Sequence, residues 1–238
     1  IGEGETHEYA IGISAGEVIK NVHGRKSGAV AAFVNGEERD MSFSLDENCK
    51  VEPILGDSEE GLYILRHSCA HLLAQAVTQL YPDAKPTIGP PIEHGFYYDF
   101  AMDPIGDEEL RQIEKRMKDL VKQNIPIERE ELDNESLREI FSSNPFKLEI
   151  MDEKIGHDVG SSAYRQGDFI DLCRGPHVSL TSQLRWFKLT STSQAYWRAD
   201  KDRESLVRIY GMCYSSKDGL KERERQIQEA AKRDHKKI

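Results

Sequence analysis

Apolar and polar positions alternate in short runs along residues 1–56, a pattern that indicates a small mixed module. Residues 14–17 (Ser-Ala-Gly-Glu) match a capping box, so a short helix is predicted to begin there. Residues 31–34, the Asn-Gly pair at 35–36 and residues 41–43 are interpreted as a strand, a tight turn and a return strand, because Asn-Gly readily adopts positive φ. Residues 49–54 are predicted as a last strand. The pattern favours a helix packed on a small sheet over an irregular, loop-rich cap.

A long apolar segment follows, in which residues 63–81 carry Arg66 as their one formal charge. Its apolar side chains recur at helical spacing and form one stripe: Leu62, Leu65, Cys69, Leu72, Leu73, Ala76 and Leu80. At about 100° per residue, His67 and His71 lie about 140 to 180° from Leu62 and point away from that stripe. Their neighbours on that side are also apolar, so we expect a helix covered on both faces. Pro82 is predicted to end it.

The rest of the chain indicates further strands and helices. Residues 95–100 are typical of a strand, and residues 107–123 of an amphipathic helix whose charged face is solvated surface. Additional strands are predicted around residues 125–129, 146–150, 169–172, 186–189 and 207–210. A polar helix is predicted over 217–237, and its few apolar positions favour a bridge between domains over a basic surface for nucleic acid. The predicted fold class is α+β, with domains at 1–56 and 57–214 and a linker helix at 215–238.

Composition narrows the functional classes. The chain has 238 residues, of which 38% are hydrophobic and 31% charged, and no apolar run long enough to span a bilayer or to resemble a signal peptide. Its four cysteines form no CxxC pair, which argues for a reducing compartment, and we predict the cytoplasm. The net charge of −10 argues against a general DNA or RNA coat but permits contact with a nucleic acid at a few places.

Two short segments carry the strongest chemical signal. The i,i+4 spacing of His67 and His71 places both on one helix face. Cys173 and His177 enclose Gly-Pro, which breaks a helix, so they are predicted to lie on a turn. We expect the two pairs to converge in one water-filled cavity. Two histidines with a cysteine and a third histidine form either a zinc set or a metal-free hydrolytic site, and the residues alone leave both open.

Several motifs resemble the editing domain of bacterial-type threonyl-tRNA synthetases. They are RHSCAHLL at 66–73, IGP with GFYYD at 88–99, and DLCRGPHV at 171–178, continued by segments at 196–198, 208–211 and 229–237. Residues 1–56 are similar to the ubiquitin-like TGS module, a β-grasp fold, that precedes this domain in the family. The resemblance implies an N-terminal fragment without the class II aminoacylation core, its ATP site or its threonine-sensing zinc. Related alanyl-tRNA editing proteins share the histidine and cysteine pairs but are not expected to carry the TGS module.

The resemblance implies hydrolysis of the ester in mischarged seryl-tRNA(Thr), with threonyl-tRNA(Thr) excluded sterically. Serine lacks one methyl group of threonine, and a pocket gains only about 1–3 kcal/mol from such a difference, so synthetases use a second, hydrolytic site. The implied partner is the tRNA(Thr) acceptor end carrying serine, and neither DNA nor a membrane is expected. The intact enzyme is expected to be a homodimer through the core absent here.

Roles for individual residues also follow from the resemblance. His67, His71 and His177 are suited to proton transfer or to holding the terminal ribose. Lys147 is implied as a catalytic residue that polarises the ester or orients water, although by itself it would be interpreted as a surface lysine on a strand. Cys173 is interpreted as a group that orients water, with an acyl-enzyme as the lesser alternative.

Tyr98 and Asp171 are implied as substrate-binding residues, Asp171 through the ammonium of the seryl group. The resemblance implies no metal in this site, and zinc held by His67, His71, Cys173 and His177 would leave no open position for a water molecule. Two rival functions remain at this point. One is a catalytically silent tRNA-binding module, and the other is a structural domain stabilised by zinc.

Overall fold

The computed structural model describes residues 6–154 and 161–234. Parts of four sequence predictions therefore lie outside the described residues: residues 1–5 of the first domain, residues 155–160 of the second domain, residues 235–238 of the linker helix, and residues 235–237 of the 229–237 motif.

A small sheet with one helix occupies residues 6–56, which we call the first segment. Its elements are β1 (Ile13–Ser14), α1 (Ala15–His23), β2 (Ala29–Val34), β3 (Glu37–Arg39), β4 (Ser44–Leu45) and β5 (Val51–Leu55). The strands β3, β2 and β5 form an antiparallel sheet in that order, and β1 pairs with β4. The predicted capping box is confirmed, because Ser14 Oγ accepts from the Glu17 N–H and Glu17 accepts from the Ser14 N–H, each at 3.2 Å.

The hairpin turn is confirmed, but the predicted return strand at 41–43 is wrong. Asn35 and Gly36 have φ of 51° and 83°, and β3 begins immediately after them, with Val34 opposite Glu37. The error arose because residues 37–39 are charged and lack strand-like apolar positions. Charged side chains are common on an exposed edge strand, where only the backbone needs a partner.

The long helix α2 (Glu59–Leu80) begins where Ser58 Oγ accepts from the Gly61 N–H at 3.0 Å, and it ends before Pro82. Its predicted burial on both faces is confirmed, because even the polar side chains of Ser68, His71 and Gln75 are buried. The helix therefore lies inside the molecule, with residues on each face able to meet a different layer.

The remaining elements complete two antiparallel sheets. They are β6 (Lys85–Pro86), β7 (Pro91–Ile92), β8 (Gly95–Ala101), α3 (Asp107–Gln123), β9 (Ile127–Leu132), α4 (Asn134–Ile140), α5 (Pro145–Lys154), β10 (Ser161–Gln166), β11 (Phe169–Leu172), β12 (Trp186–Tyr196), β13 (Ser205–Tyr214) and α6 (Lys217–Asp234). One sheet has the order β12-β13-β8-β6, with β7 also paired to β8, and the other has the order β11-β10-β9. The α+β fold class is confirmed, as are the strands predicted near 125–129, 169–172, 186–189 and 207–210.

The strand predicted at 146–150 is wrong, because these residues lie in α5. Asn144 Oδ1 accepts from the backbone N–H groups of Phe146 and Lys147, at 3.2 and 3.3 Å, and Pro145 occupies the first turn, where its missing N–H costs nothing. A short apolar run does not distinguish a strand from a buried helix.

The largest apolar core joins the first segment to the rest of the described chain. Val30, Ala31 and Ile54 of the first sheet belong to the same buried cluster as Ile64 and Leu65 of α2. The first segment is thereby held against the helix that carries the two histidines. The division of the chain into domains at residue 56 stays a prediction.

Within residues 6–154 and 161–234, no helix is both long enough and apolar enough to cross a membrane.

Candidate functional site

The predicted convergence of the two chemical segments is confirmed. One ligating atom from each of His67, His71, Cys173 and His177 lies within 4.8 Å of the others. The ring centroids of His67 and His71 lie 4.4 and 4.3 Å from that of His177. The four side chains therefore form one cluster, whereas the water-filled cavity expected between them stays a prediction.

Helix α2 presents its two histidines one turn apart to the turn at 173–177. This turn leaves β11, with the Cys173 N–H donating to the Ser162 carbonyl at 3.1 Å and Ser162 Oγ donating to the Cys173 carbonyl at 2.6 Å. Gly175 has φ of 73°, and a Cβ there would lie 1.8 Å from the Tyr164 hydroxyl. Both the backbone conformation and the close approach to Tyr164 require glycine at this position.

A chain of hydrogen bonds runs through the cluster. Ser68 Oγ accepts from the Val178 N–H at 3.1 Å, so its own proton is available for His177 Nδ1, 2.9 Å away. His177 then carries its proton on Nε2 and donates to Cys173 Sγ, at 3.2 Å. The Cys173 thiol in turn donates to His67 Nε2, at 3.3 Å. These assignments leave His67 with an acceptor nitrogen that faces the thiol, and they follow from the donor inventory of each group.

Burial keeps the cluster uncharged. Burial, and then the neighbouring His71, lowers the pKa of His67 to about 3. Burial lowers the pKa of His71 to about 4, although Asp171 acts in the opposite direction. Burial and the other two histidines hold the pKa of His177 well below its usual range, and burial raises the pKa of the Cys173 thiol to about 12. At neutral pH the site therefore holds three neutral imidazoles and a thiol, which disfavours attack by a thiolate; a pKa this far below 7 also makes each imidazole a weak base.

A buried ion pair lies directly beside the cluster. Lys147 Nζ is 2.5 Å from Asp171 Oδ1, and it donates to the Tyr98 hydroxyl at 3.0 Å. The Tyr98 hydroxyl donates to Asp171 Oδ2 at 2.6 Å, and His71 Nε2 lies 3.7 Å from the same oxygen. Burial by itself would raise the pKa of Asp171, but Lys147 and His71 together hold it below its usual value.

Two expectations for these residues change with this geometry. Lys147 is 3% exposed and lies on α5, so its interpretation as a surface lysine on a strand is wrong. Asp171 is 1% exposed, and its oxygens already accept from Lys147, Tyr98 and the Leu172 N–H. A seryl ammonium would have to replace Lys147 in order to contact Asp171 directly.

The cluster is reached from the side of His67, which is partly exposed, whereas His71 and His177 are buried. Tyr63, one turn earlier on α2, is 55% exposed, and its ring centroid lies 6.4 Å from that of His67. An incoming ester would meet Tyr63 and His67 before the deeper residues.

Sequence reasoning missed Ser68, Asp40 and Tyr164, and the Tyr164 ring centroid lies 4.4 Å from that of His177. Ser68 is the bonding partner of His177, and its position between the two histidines was the available signal. Asp40 accepts from the His177 N–H at 2.8 Å, across 137 residues of sequence, and nothing in its local pattern indicates this contact.

The donor set also fits a zinc ion. Tetrahedral zinc with histidine and cysteine ligands places its ligand atoms about 3.3–3.6 Å apart. Cys173 Sγ lies 3.3 Å from His67 Nε2 and 3.2 Å from His177 Nε2, and the Ser68 hydroxyl would orient the His177 ring from behind. Four protein ligands would form a closed site, which is typical of structural zinc.

Comparison of the sequence with known proteins shows what this chain is similar to. Residues 162–210, which include β11, the turn and most of β12 and β13, match the threonyl and alanyl tRNA synthetase second additional domain. This chain is a relative of threonine–tRNA ligases. It is 44% identical over 211 residues to the threonine–tRNA ligase of Rubrobacter xylanophilus, covering 88% of this chain and 33% of that protein. It is 48% identical over 199 residues to that of Thermoplasma volcanium, covering 84% and 30%, and 41% identical over 240 residues to that of Thermotoga maritima, covering 99% and 37%. The chain thus spans about a third of the length of these ligases, and the sequence-based assignment to this family is confirmed.

Proposed function

We propose that this chain is the editing unit of a threonyl-tRNA synthetase and hydrolyses the ester of mischarged seryl-tRNA(Thr). The observation that carries the proposal is the contact of four uncharged histidine and cysteine side chains beside a buried Lys–Asp pair, in a chain that matches the second additional domain. In the reaction, a water oxygen adds to the ester carbonyl, the bond to the tRNA ribose breaks, and serine and tRNA with a free hydroxyl are released.

The neutral imidazoles supply the proton transfer. His67 is the most accessible member. Its Nε2 accepts from the Cys173 thiol, so its Nδ1–H is suited to hold the terminal ribose, and it can accept a proton from the attacking water only where that water replaces the thiol at Nε2. Cys173, with its proton retained, orients the His67 ring and does not act as the nucleophile. The Lys147 ammonium supplies the positive charge that favours the oxyanion developing on the carbonyl.

Discrimination against threonine is proposed to be steric. Serine lacks the methyl group of threonine, and a close-packed site beside the cluster would have to move a side chain in order to admit that methyl group. The roles of Tyr98 and Asp171 in substrate binding stay predictions, and the hydrogen bond between them makes them a single unit for that purpose.

The remaining sequence-based assignments are part of this proposal. Residues 1–56 are proposed as a TGS-like β-grasp module, residues 57–214 as the editing domain, and residues 215–238 as a linker helix. The proposed partner is the acceptor end of tRNA(Thr), and a homodimeric, cytoplasmic whole enzyme is expected of a threonyl-tRNA synthetase.

Deacylation assays test this function. The chain is incubated with seryl-tRNA(Thr) and with threonyl-tRNA(Thr), and release of the amino acid is followed. Serine release should exceed threonine release, and His67→Ala and Cys173→Ala should abolish it while the protein stays folded. His94→Ala is the matched control, because His94 is a largely exposed histidine on the β7–β8 turn whose one ion-pair partner is Glu93. Binding of tRNA without any release of serine would instead establish a catalytically silent binding module.

Metal analysis separates the hydrolytic site from a zinc-stabilised domain. The purified chain should contain substoichiometric zinc, and EDTA should change neither its melting temperature nor its rate of serine release. One zinc per chain, together with unfolding on chelation, would contradict the metal-free mechanism, because four protein ligands leave no position for the attacking water.

A further inference from the structure

Asp40 connects the first segment of the chain to the turn that carries Cys173 and His177. It directly follows β3, and its backbone carbonyl accepts from the Phe43 N–H at 3.0 Å, which fixes it at the end of the hairpin. The turn lies beyond β11, more than a hundred residues later. Ordering a contact between residues so far apart in sequence costs conformational entropy, which its interactions have to offset.

The two carboxylate oxygens of Asp40 have different partners, both of which contact the cluster. Oδ1 accepts from the backbone N–H of His177 at 2.8 Å, and Oδ2 accepts from the Tyr164 hydroxyl at 2.6 Å. The Tyr164 ring packs edge-on against the His177 ring, with centroids 4.4 Å apart. One carboxylate therefore fixes both the backbone of His177 and the aromatic wall beside its imidazole.

The same turn is held from a second direction. Arg129 on β9 donates to the carbonyl of Arg174 at 2.8 Å, and its positive charge lies near Asp40. Gly175 allows the turn to lie against the Tyr164 hydroxyl, where a Cβ would collide. Asp40, Tyr164 and Arg129 form a supporting frame for the turn.

A displacement of this frame would be transmitted directly to the reacting groups. The Nε2 atom of His177 is 3.2 Å from Cys173 Sγ, and the centroid of its ring is 4.3 Å from that of His71. A shift of about 1 Å in catalytic groups can reduce a rate about 100-fold.

We propose that Asp40 is a positioning residue for the ester hydrolysis, through which the first segment supports the turn that carries Cys173 and His177. This inference rests on the proposed editing function, and it assigns residues 6–56 a part in building the site. The segment is then required for the hydrolytic step itself and not only for contact with tRNA.

Two variants of equal shape test this role in the full chain. Asp40→Asn retains an acceptor oxygen for the His177 N–H, whereas Asp40→Leu has similar volume and no acceptor. In Asp40→Leu the kcat for serine release should fall about 10- to 100-fold with KM within about twofold, and Asp40→Asn should recover kcat to within about threefold of the original chain. Glu38→Ala, an exposed acid on the same hairpin, should leave kcat and KM unchanged.

Stability and spectroscopic readouts separate positioning from a purely structural role. Melting temperatures give the folded fraction of each variant, and Asp40→Ala replaces Asp40→Leu should the larger side chain prevent folding. An unchanged kcat in a folded variant without an acceptor at position 40 would overturn the proposal. So would a loss of activity that matches the unfolded fraction alone.

Histidine ring signals in nuclear magnetic resonance keep this test independent of the proposed function. The signals of His177 and His71 should move in Asp40→Leu and not in Asp40→Asn, while those of the distant His23 and His94 stay in place. If the original chain releases no serine, the editing function fails, and these signals alone decide the positioning role. Unmoved His177 signals in Asp40→Leu would then overturn it.

Discussion

Replacement of Lys147 by methionine is expected to destabilise the chain through the carboxylate that it leaves behind. Lys147 Nζ is 2.5 Å from Asp171 Oδ1, and the two side chains are only 4% and 2% exposed. Removal of one partner of a buried ion pair typically costs about 3–5 kcal/mol, because the other charge is left without compensation. Asp171 retains the Tyr98 hydroxyl at 2.6 Å and the Leu172 N–H at 2.8 Å, so we expect the lower end, about 3 kcal/mol.

A second substitution distinguishes this cause from a loss of packing. Asp171→Leu in the Lys147→Met background removes the stranded charge, and an apolar pair of similar volume often replaces a buried ion pair without loss. The double variant should regain about 2 kcal/mol of unfolding free energy. Full recovery is not expected, because the Tyr98 hydroxyl then lacks its acceptor, at a cost of about 1 kcal/mol or more.

Urea denaturation monitored by tryptophan fluorescence measures these free energies, with serine release assayed in parallel. Lys188→Met is the matched control, because this lysine is half exposed and pairs with Glu224 on the surface. It should change stability by less than about 1 kcal/mol. A loss below about 1 kcal/mol in Lys147→Met, or a double variant no more stable than the single one, would refute the reasoning. Under the proposed function, the double variant should be folded and inactive.

Two further predictions follow from the same site. The folded-state pKa values of His67 and His71 are about 3 and about 4, below the unfolded value near 6.5, so both side chains are neutral in the folded protein. Their contribution to stability is therefore complete above pH 6.5 and is lost as the pH falls toward 4. At pH 5 each of these two histidines should lower the free energy of unfolding of EDTA-treated protein by about 2 kcal/mol. A free energy of unfolding that is flat between pH 7 and pH 5 would contradict their neutral state. Gly175→Ala should reduce serine release at least about 10-fold, because the alanine Cβ must displace Tyr164 and a φ of 73° disfavours any side chain. Activity equal to that of the original chain would show that the turn can move freely.

Local pattern was sufficient for the elements whose residues carry their own signal. The capping box at Ser14, the apolar stripe of α2, and the amphipathic α3 at Asp107–Gln123 were all predicted correctly. Their hydrogen bonds close within a few residues, so the sequence alone specifies them. The same is true of the i,i+4 spacing of His67 and His71, which placed both on one face.

Only the tertiary structure decided the elements whose partners are distant in sequence. Residues 146–150 have no helical pattern of their own, and the cap by Asn144 was a local signal that sequence reasoning missed. Only the tertiary structure decided that Lys147 points inward to Asp171. The strand β3 is defined by pairing with β2 and not by its charged residues. Short segments with weak local preference take the conformation that their neighbours impose.

The site divides in the same way. The sequence determined which residue types it contains, because the helix spacing and the Gly-Pro break fix the two halves separately. The tertiary structure decided that these halves touch, that burial leaves the histidines neutral, and that Asp40 accepts from the His177 N–H. Each of these properties depends on the exclusion of water and on contacts across more than a hundred residues, which no local pattern records.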